Sequence, residues 1–273
     1  MKKVNAFMYA ITIIICLISI FPFYWLINTS LQPPDQLFNL PPNLYPKTNV
    51  FIAYAQYIAK SDILLWMKNT LIVGIIVTIF STGLGLPAAY SLSRFRYKLK
   101  TLFIFIVLFT QMMSASFLCI PIYIIFSNIK FTNSLATLMV IYTCTTLPIS
   151  VWFAKGFFDG IPVELEDSAR IDGCNTFDVL VRILIPLIRP GIIATGTWVF
   201  IVVWDEYLFA YTMIERNTLW TNSVGLASYI GQYSTPWNEI MTGAVLVTLP
   251  VVLLFMYFQK YLVSGLTAGS VKG

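Results

Sequence analysis

The chain has 273 residues and a net charge of +5; 58% of its residues are hydrophobic and only 11% are charged. Soluble domains carry about a quarter charged residues, so this composition indicates a membrane protein. The sequence contains no histidine, which excludes histidine-based catalytic triads and histidine metal sites. The small, dispersed charge does not indicate nucleic-acid binding, and four scattered cysteines predict neither a disulfide framework nor a zinc site.

Apolar runs of about 20 residues, the length needed to cross a bilayer, recur six times along the chain. They predict an all-α membrane protein that forms a single transmembrane domain over residues 1–273. We expect the first run to be retained rather than cleaved as a signal peptide, because it is too long for such a segment and lacks a cleavage site. The predicted spans are about 6–29, 70–92, 102–126, 134–154, 191–211 and 240–262.

Lysine and arginine predict the orientation of these spans. With both termini in the cytoplasm, twelve basic residues fall on the inside and five on the outside, in agreement with the positive-inside rule. The densest cluster, "RFRYKLK" between spans two and three, is interpreted as a membrane anchor. The inside group is Lys2, Lys3, Arg94, Arg96, Lys98, Lys100, Lys155, Arg170, Arg182, Arg189, Lys260 and Lys272.

The loop between spans four and five, about 155–190, is unusually polar. Carboxylates near its start and Gly173 after it predict a short helix at about 162–172. Within that helix Arg170 can pair with Glu166, and Ala169 offers a small surface that another protein could approach closely. A second helix is expected from about residue 175, ending before Pro186. Two ordered helices in a cytoplasmic loop favour a docking site over a simple connector.

The sequence of this loop, "DSARIDGCNTFDVLVRILIP", resembles the EAA loop of ABC importer permeases. Asp167, Ser168 and Ala169 stand in the E-A-A positions, Gly173 follows after three residues, and Ile183-Leu184-Ile185-Pro186 follows after nine more. Three positions depart from the family pattern: Asp167 replaces Glu, Ser168 replaces Ala and Ile185 replaces Leu. All three changes are conservative in size or charge.

The resemblance extends along nearly the whole chain. The segments "FPFYWLINTSLQ", "GFFDGIPVELEDSARIDG", "WDEYLFA" and the ending "YLVSGLTAGSVKG" are similar to the second permease subunit of carbohydrate importers, the group that includes the maltose and glycerol-3-phosphate systems. The resemblance implies a fold like that of type I ABC importer permeases, with a cytoplasmic coupling helix between spans four and five. It also implies a multi-pass location in the cell membrane of a prokaryote.

The resemblance further implies an ATP-driven sugar importer in which this chain has no catalytic residues. The sequence has no P-loop motif GxxxxGK[ST], so ATP and Mg²⁺ are expected on a cytoplasmic ATPase dimer. The other implied partners are a second homologous permease, an external sugar-binding protein and membrane lipid, with no metal and no nucleic acid. The residues expected to couple to the ATPase are Glu164, Glu166, Asp167, Ser168, Ala169, Arg170, Asp172, Gly173, Ile183 and Pro186.

Polar and aromatic side chains within the spans are the candidates for the substrate path, because a sugar ring has an apolar face and a polar rim. For most of them a bond to their own helix is the competing interpretation. For Asp205 and Glu206 the competing interpretation is a place at the membrane interface. The candidates are Asn28, Gln111, Ser114, Tyr142, Thr145, Trp204, Asp205 and Glu206, with Ser116, Thr143 and Thr146 as further members.

Alternative functions remain open at this point. A permease for a non-sugar solute or a phosphorylated polyol would favour a basic cavity lining, which the spans of this chain do not supply. A secondary transporter would favour internal repeats, broken helices or buried ionisable residues, and only Asp205, Glu206 and Glu239 lie near membrane depth. A membrane-embedded enzyme is the weakest alternative.

Overall fold

The computed structural model describes residues 6–46, 48–231 and 234–268, and all of its long elements are helices. The residues outside these ranges include Lys2, Lys3 and Lys272, which contribute to the predicted orientation, and the last five residues of the ending "YLVSGLTAGSVKG". The helices are α1 Ala6–Ser30, α2 Val50–Lys60, α3 Ile63–Arg94, α4 Lys100–Met112, α5 Ala115–Asn128, α6 Leu135–Asp159, α7 Glu164–Ile171, α8 (176–187), α9 Arg189–Trp204, α10 Leu208–Met213, α11 Asn222–Ala227 and α12 Trp237–Ala268.

Four of the described helices are long and apolar enough to cross a membrane: α1, α3, α6 and α12. Counting the bent pair α4 and α5 as one span raises the number to five, and α9 is apolar but shorter. Predicted spans one, two, four and six therefore each correspond to a single helix. The count of six spans stays a prediction.

The third predicted span is not one continuous helix. α4 ends at Met112, α5 begins at Ala115, and the two are bent by 100°. Met113 adopts an extended backbone, and the Ser114 hydroxyl accepts a hydrogen bond from Ser116 N, which caps the new helix. Hydropathy did not reveal this break because both halves are equally apolar.

The fifth predicted span is also interrupted, after Trp204. Glu206 accepts hydrogen bonds from the backbone N–H groups of Phe209 at 2.9 Å and Ala210 at 3.2 Å, so it caps the start of α10. A carboxylate at this position satisfies N–H groups that have no partner within the helix. The acidic pair in "WDEYLFA" therefore separates two helices.

The chain divides into two compact units, of which the first contains Met1–Leu64 and Gly225–Pro250. In this unit α2 begins where the Asn49 side chain accepts a hydrogen bond from Phe51 N. It ends at Lys60, and Ser61 adopts an extended backbone before α3 begins at Ile63. Thr242 of α12 donates to the carbonyl of Ser30 at the end of α1.

The second unit contains Leu65–Val224 and Val251–Gly273, and in it α3, α6 and α9 approach closely through small residues. A Cβ atom at Gly85 would lie 3.1 Å from Ser150 Cβ, and one at Gly74 would lie 3.0 Å from the Phe200 ring. Small residues at helix contacts are typical of membrane proteins, where close van der Waals packing replaces the hydrophobic effect between helices.

Two apolar clusters form the core of the second unit. One joins α3, α5, α6, α9 and α10 around Val77, Leu138 and Val199. The other lies at the opposite end of α3 and α6 and includes residues of α7 and α8. The polar loop after α6 is therefore packed onto the membrane-spanning helices, and this packing positions the site described next.

Candidate functional site

α7 lies where the sequence predicts the coupling helix, between α6 and α9, and has two chemically different faces. Glu166 and Ala169, three residues apart, point into the protein with 1% and 6% of their surface exposed. The expectation that Ala169 offers a free surface to another protein is wrong, because its methyl group packs in the chain's own core with Tyr90 and Phe158.

Glu166 is held by residues at the end of α3. Its carboxylate forms an ion pair with Arg94 Nε and accepts a hydrogen bond of 3.1 Å from the Tyr90 hydroxyl. Arg94 Nη2 also donates to the carbonyl of Ile161, just before α7, at 2.8 Å. We call Tyr90, Arg94, Glu166 and the Ile161 carbonyl the α7 anchor. Both charged side chains are at least nine-tenths buried, so the ion pair is shielded from water.

The predicted partner of Glu166, Arg170, has a minor role. Its Nη2 lies 3.9 Å from Glu166 Oε2, and its Nη1 lies 3.5 Å from Asp167 Oδ1. Arg170 is 44% exposed, and exposed ion pairs of this kind contribute about 0–1 kcal/mol. Sequence reasoning missed Arg94, which it assigned to membrane anchoring. The need for a buried cation became visible only from the structure, which places Glu166 on the buried face of α7 beside Ala169.

A second set of contacts fixes the same end of α3 to α6. The Ser93 hydroxyl donates to Asp159 Oδ1 at 2.6 Å, and Asp159 also pairs with Lys155. The neighbouring Lys100 Nζ donates to the carbonyl of Ser93 at 3.4 Å. The polar residues at this end of the helices are therefore bound to one another.

The outward face of α7 carries the other predicted coupling residues. Ile171 is 86% exposed and Leu165 is 46% exposed, an unusual exposure for apolar side chains on such a polar helix. The other exposed coupling residues of this face and of the following turn are Glu164, Asp167, Ser168, Arg170, Asp172 and Gly173. This acidic surface with apolar side chains is defined as the α7 outer face.

Gly173 ends α7 as predicted, with φ of +89°. Cys174 N donates to the carbonyl of Ala169 at 3.0 Å, and Gly173 N donates to that of Arg170 at 3.1 Å. This pattern is a Schellman motif, which places a left-handed residue after the helix end. Because an L side chain at this φ is strained, glycine is the residue that fits the turn.

The second helix of the loop does not end before Pro186, contrary to the prediction. α8 begins at Thr176–Asp178, continues as a π-helix over Val179–Leu184 and ends with Ile185–Leu187. The N–H of Ile185 donates to the carbonyl of Leu180 in the wider π pattern directly before the proline. Ile183 is half-buried and Pro186 is exposed.

Four of the candidate path residues lie inside the protein with partners or packing of their own. Asn28 is buried in the first unit and donates to the carbonyl of Asn43 at 2.8 Å. Tyr142 donates its hydroxyl hydrogen to Glu206, the cap of α10. Trp204 is 1% exposed and stacks on Phe200 with ring centroids 5.4 Å apart.

Gln111 and Ser114 are accessible near the bend between α4 and α5, and together with the half-buried Thr145, which contacts Gln111, they are called the Gln111 cluster. Gln111 is exposed, and its Nε2 donates to the Thr145 carbonyl at 3.4 Å. Ser114 is exposed at the bend itself. Asp205 is also exposed, after the last residue of α9, whereas Thr143 and Thr146 bond to carbonyls of their own helix. Among the described residues, no group of three potential ligands could hold a metal ion.

The family described as "Binding-protein-dependent transport system inner membrane component" matches residues 81–268, the region that contains α7, its anchor and the Gln111 cluster. The chain belongs to this family. It is a multi-pass inner membrane transport component rather than an enzyme.

Named relatives cover almost the entire chain. The sulfoquinovosyl glycerol transport system permease protein of Agrobacterium fabrum is 31% identical over 93% of this chain and 89% of its own length. The trehalose/maltose transport system permease protein of Thermococcus litoralis is 30% identical over 96% of this chain and 94% of its own. The diacetylchitobiose uptake system permease protein of Streptomyces coelicolor is 30% identical over 93% and 92%.

A solved structure has the same fold. The crystal structure of a bacterial ABC transporter involved in the import of the acidic polysaccharide alginate contains a chain that superposes with a TM-score of 0.80 over 93% of this chain and 94% of that one. The two sequences are 20% identical. The ABC importer permease fold predicted from the resemblance is thereby confirmed.

Proposed function

We propose that this chain is one membrane subunit of an ATP-driven sugar importer. The sugar assignment is supported by the relatives, whose names refer to sulfoquinovosyl glycerol, trehalose, maltose and diacetylchitobiose. The translocation path lies between this chain and a second homologous permease, and an external binding protein delivers the sugar. ATP and Mg²⁺ bind to a separate cytoplasmic ATPase dimer, because this sequence contains no P-loop.

The observation that carries the proposal is the pairing of an exposed outer face with a buried anchor on the same short helix. The α7 outer face presents Ile171 and Leu165 beside carboxylates. It suits a cleft on the ATPase that is lined by apolar and basic groups, since apolar burial and charge complementarity stabilise and orient such contacts. In this role Asp167 faces a basic group of the ATPase, and Gly173 forms the turn that presents the helix.

The α7 anchor gives this docking helix a mechanical role. Arg94 is the last residue of α3, a helix of 32 residues that is long enough to span the membrane. When ATP closes the ATPase dimer and moves α7, the buried ion pair between Glu166 and Arg94 transmits that movement to α3. Packed helices move as rigid elements between two discrete arrangements, here inward-open and outward-open.

The Gln111 cluster is proposed to line the translocation path, with Gln111 and Ser114 exposed and Thr145 half-buried beside them. Amide and hydroxyl groups exchange hydrogen bonds with sugar hydroxyls without requiring charge. Asp205 is proposed to lie at the edge of the path. Asn28, Tyr142, Trp204 and Glu206 support the protein from within, because their polar groups bond to, or pack against, the same chain.

The orientation in the membrane belongs to the same proposal. Arg94, Arg96, Lys98 and Lys100 lie at the same end of the helices as α7, and positive residues concentrate on the cytoplasmic side. Both termini and α7 are therefore cytoplasmic, in the cell membrane of a prokaryote.

Affinity purification from the native membrane in mild detergent, followed by mass spectrometry, tests the docking proposal. The wild-type chain is expected to retain an ATPase and a second permease. Ile171→Asp is expected to lose most of the ATPase but to keep the second permease, since a third carboxylate beside Asp167 and Asp172 disrupts apolar contact without touching the core.

Leu40→Asp is the matched control for this experiment. Leu40 is also an apolar side chain, 93% exposed, but it lies in a segment predicted on the opposite side of the membrane. It should retain the ATPase at the wild-type level. A wild-type chain that purifies alone, or ATPase retention unchanged in Ile171→Asp, would overturn the proposed docking surface.

A further inference from the structure

A cavity of about 370 Å³ lies within the first unit, between the end of α1, the segment after it, α2 and the start of α12. This volume is within the range of small-molecule sites, roughly 300–1,000 Å³. Its described lining combines apolar surface with the polar side chains of Gln32, Gln56, Tyr57, Asn238 and Thr242. None of the path candidates named above lines it, so it is separate from the Gln111 cluster.

Two acceptors in this lining have no hydrogen-bond partner in the described protein. Gln32 is 5% exposed, and its Nε2 donates to the Tyr45 carbonyl at 2.7 Å, whereas its Oε1 is buried without a donor. Asn238 Oδ1 is likewise buried without a donor. A buried carbonyl oxygen left without a donor is unfavourable, so each of these atoms requires a donor from a ligand or a water molecule.

The charges around the cavity select the class of ligand. Among the described lining residues the charged ones are Lys60 and Glu239, and they neutralise each other in an ion pair of 2.9 Å. The hydrogen bond to Glu239 raises the pKa of Lys60, and burial raises the pKa of the Tyr57 phenol, so Lys60 stays charged and the phenol stays neutral at physiological pH. A lining without net charge does not favour phosphates or cations, and unpaired acceptors favour hydroxyl donors.

We propose that this cavity binds a short neutral saccharide through hydroxyl groups that donate to Gln32 Oε1 and Asn238 Oδ1. This inference rests on the proposed function for the choice of a sugar. The cavity lies on the predicted outer side of the membrane, the side from which an importer receives its saccharide.

Saturation-transfer difference NMR on the full chain in lipid nanodiscs tests the site with trehalose, maltose and N,N′-diacetylchitobiose as probes. At least one of the three is expected to give a saturable signal. Asn238→Leu, which removes an acceptor at nearly constant volume, should weaken binding about fivefold, the value of one typical hydrogen bond. Ala53→Trp, which fills the cavity without removing a polar group, should abolish binding.

Asn217→Leu is the matched control, because Asn217 is an exposed asparagine outside the cavity; it should bind like the wild type. Circular dichroism establishes that each variant retains its helices. The absence of a saturable signal with all three probes would leave water as the donor and overturn the site, and so would wild-type binding by Ala53→Trp. The experiment requires neither the ATPase nor transport, so its failure is distinct from a failure of the proposed function.

Discussion

At the scale of single residues, the buried ion pair of the α7 anchor is the feature that distinguishes this loop from a connector. Charges are buried only at a large desolvation cost, and the cost is offset when geometry and additional hydrogen bonds satisfy both ions. Glu166 has two such partners, Arg94 and Tyr90. The helix signals around residues 162–172 place Glu166 on the correct helix, but its cation lies 72 residues earlier in the chain.

Removal of one ion from this pair should therefore strongly lower the stability of the folded protein. Arg94→Met leaves the Glu166 carboxylate buried without its cation and is expected to lower the free energy of unfolding by about 3–5 kcal/mol. The measurement is unfolding by SDS titration in mixed micelles. The double variant Arg94→Met with Glu166→Gln should recover part of this loss, because no uncompensated charge remains.

Arg182→Met provides the control for this prediction. Arg182 also pairs with a carboxylate, Asp178, but is 77% exposed, and such surface pairs contribute about 0–1 kcal/mol. Equal losses for Arg94→Met and Arg182→Met would show that the α7 anchor does not stabilise the protein as its burial indicates.

At the scale of helices, the sequence predicted the long apolar elements well and their interruptions poorly. α1, α3, α6 and α12 follow directly from hydropathy, because a run of about 20 apolar residues has few alternatives to a helix. The bend at Ser114 and the cap at Glu206 depend on backbone hydrogen bonds to single side chains, which hydropathy does not record. The π-helix before Pro186 also escaped prediction, because hydropathy does not record which backbone carbonyl each N–H group bonds to.

Helix contacts yield a second prediction, at Gly191 of α9. A Cβ atom at this position would lie 2.5 Å from the Phe157 ring of α6, which is too close for contact without a shift of the helices. Gly191→Ala is expected to lower the free energy of unfolding by about 1–3 kcal/mol through overpacking. The same SDS titration measures this loss.

Gly156 of α6 is the control for Gly191, because a side chain at position 156 has open space around it. A Cβ atom there meets nothing within 4 Å, so Gly156→Ala should be neutral or stabilise the protein by up to about 1 kcal/mol, because alanine favours a helix over glycine. If Gly191→Ala is as stable as Gly156→Ala, the close approach of α6 and α9 is incorrect.

At the scale of the whole molecule, the sequence identified the family and predicted a docking role for the loop, whereas the faces of α7 required the structure. Residue spacing placed Asp167, Ala169 and Gly173 in one motif but did not separate the residues that point outward from those that point inward. The structure makes Ile171 the most exposed apolar residue of α7, and Ala169 a core residue. The proposed docking of α7 therefore predicts that Ile171 contacts the ATPase in the assembled transporter.

Photo-crosslinking from position 171 in native membranes identifies the protein that contacts this face of α7. A photoreactive amino acid in place of Ile171 is expected to crosslink to a P-loop ATPase, identified by mass spectrometry, whereas the same amino acid in place of Leu40 should not. Crosslinks from position 171 only to lipid or to a second copy of this chain would contradict the account.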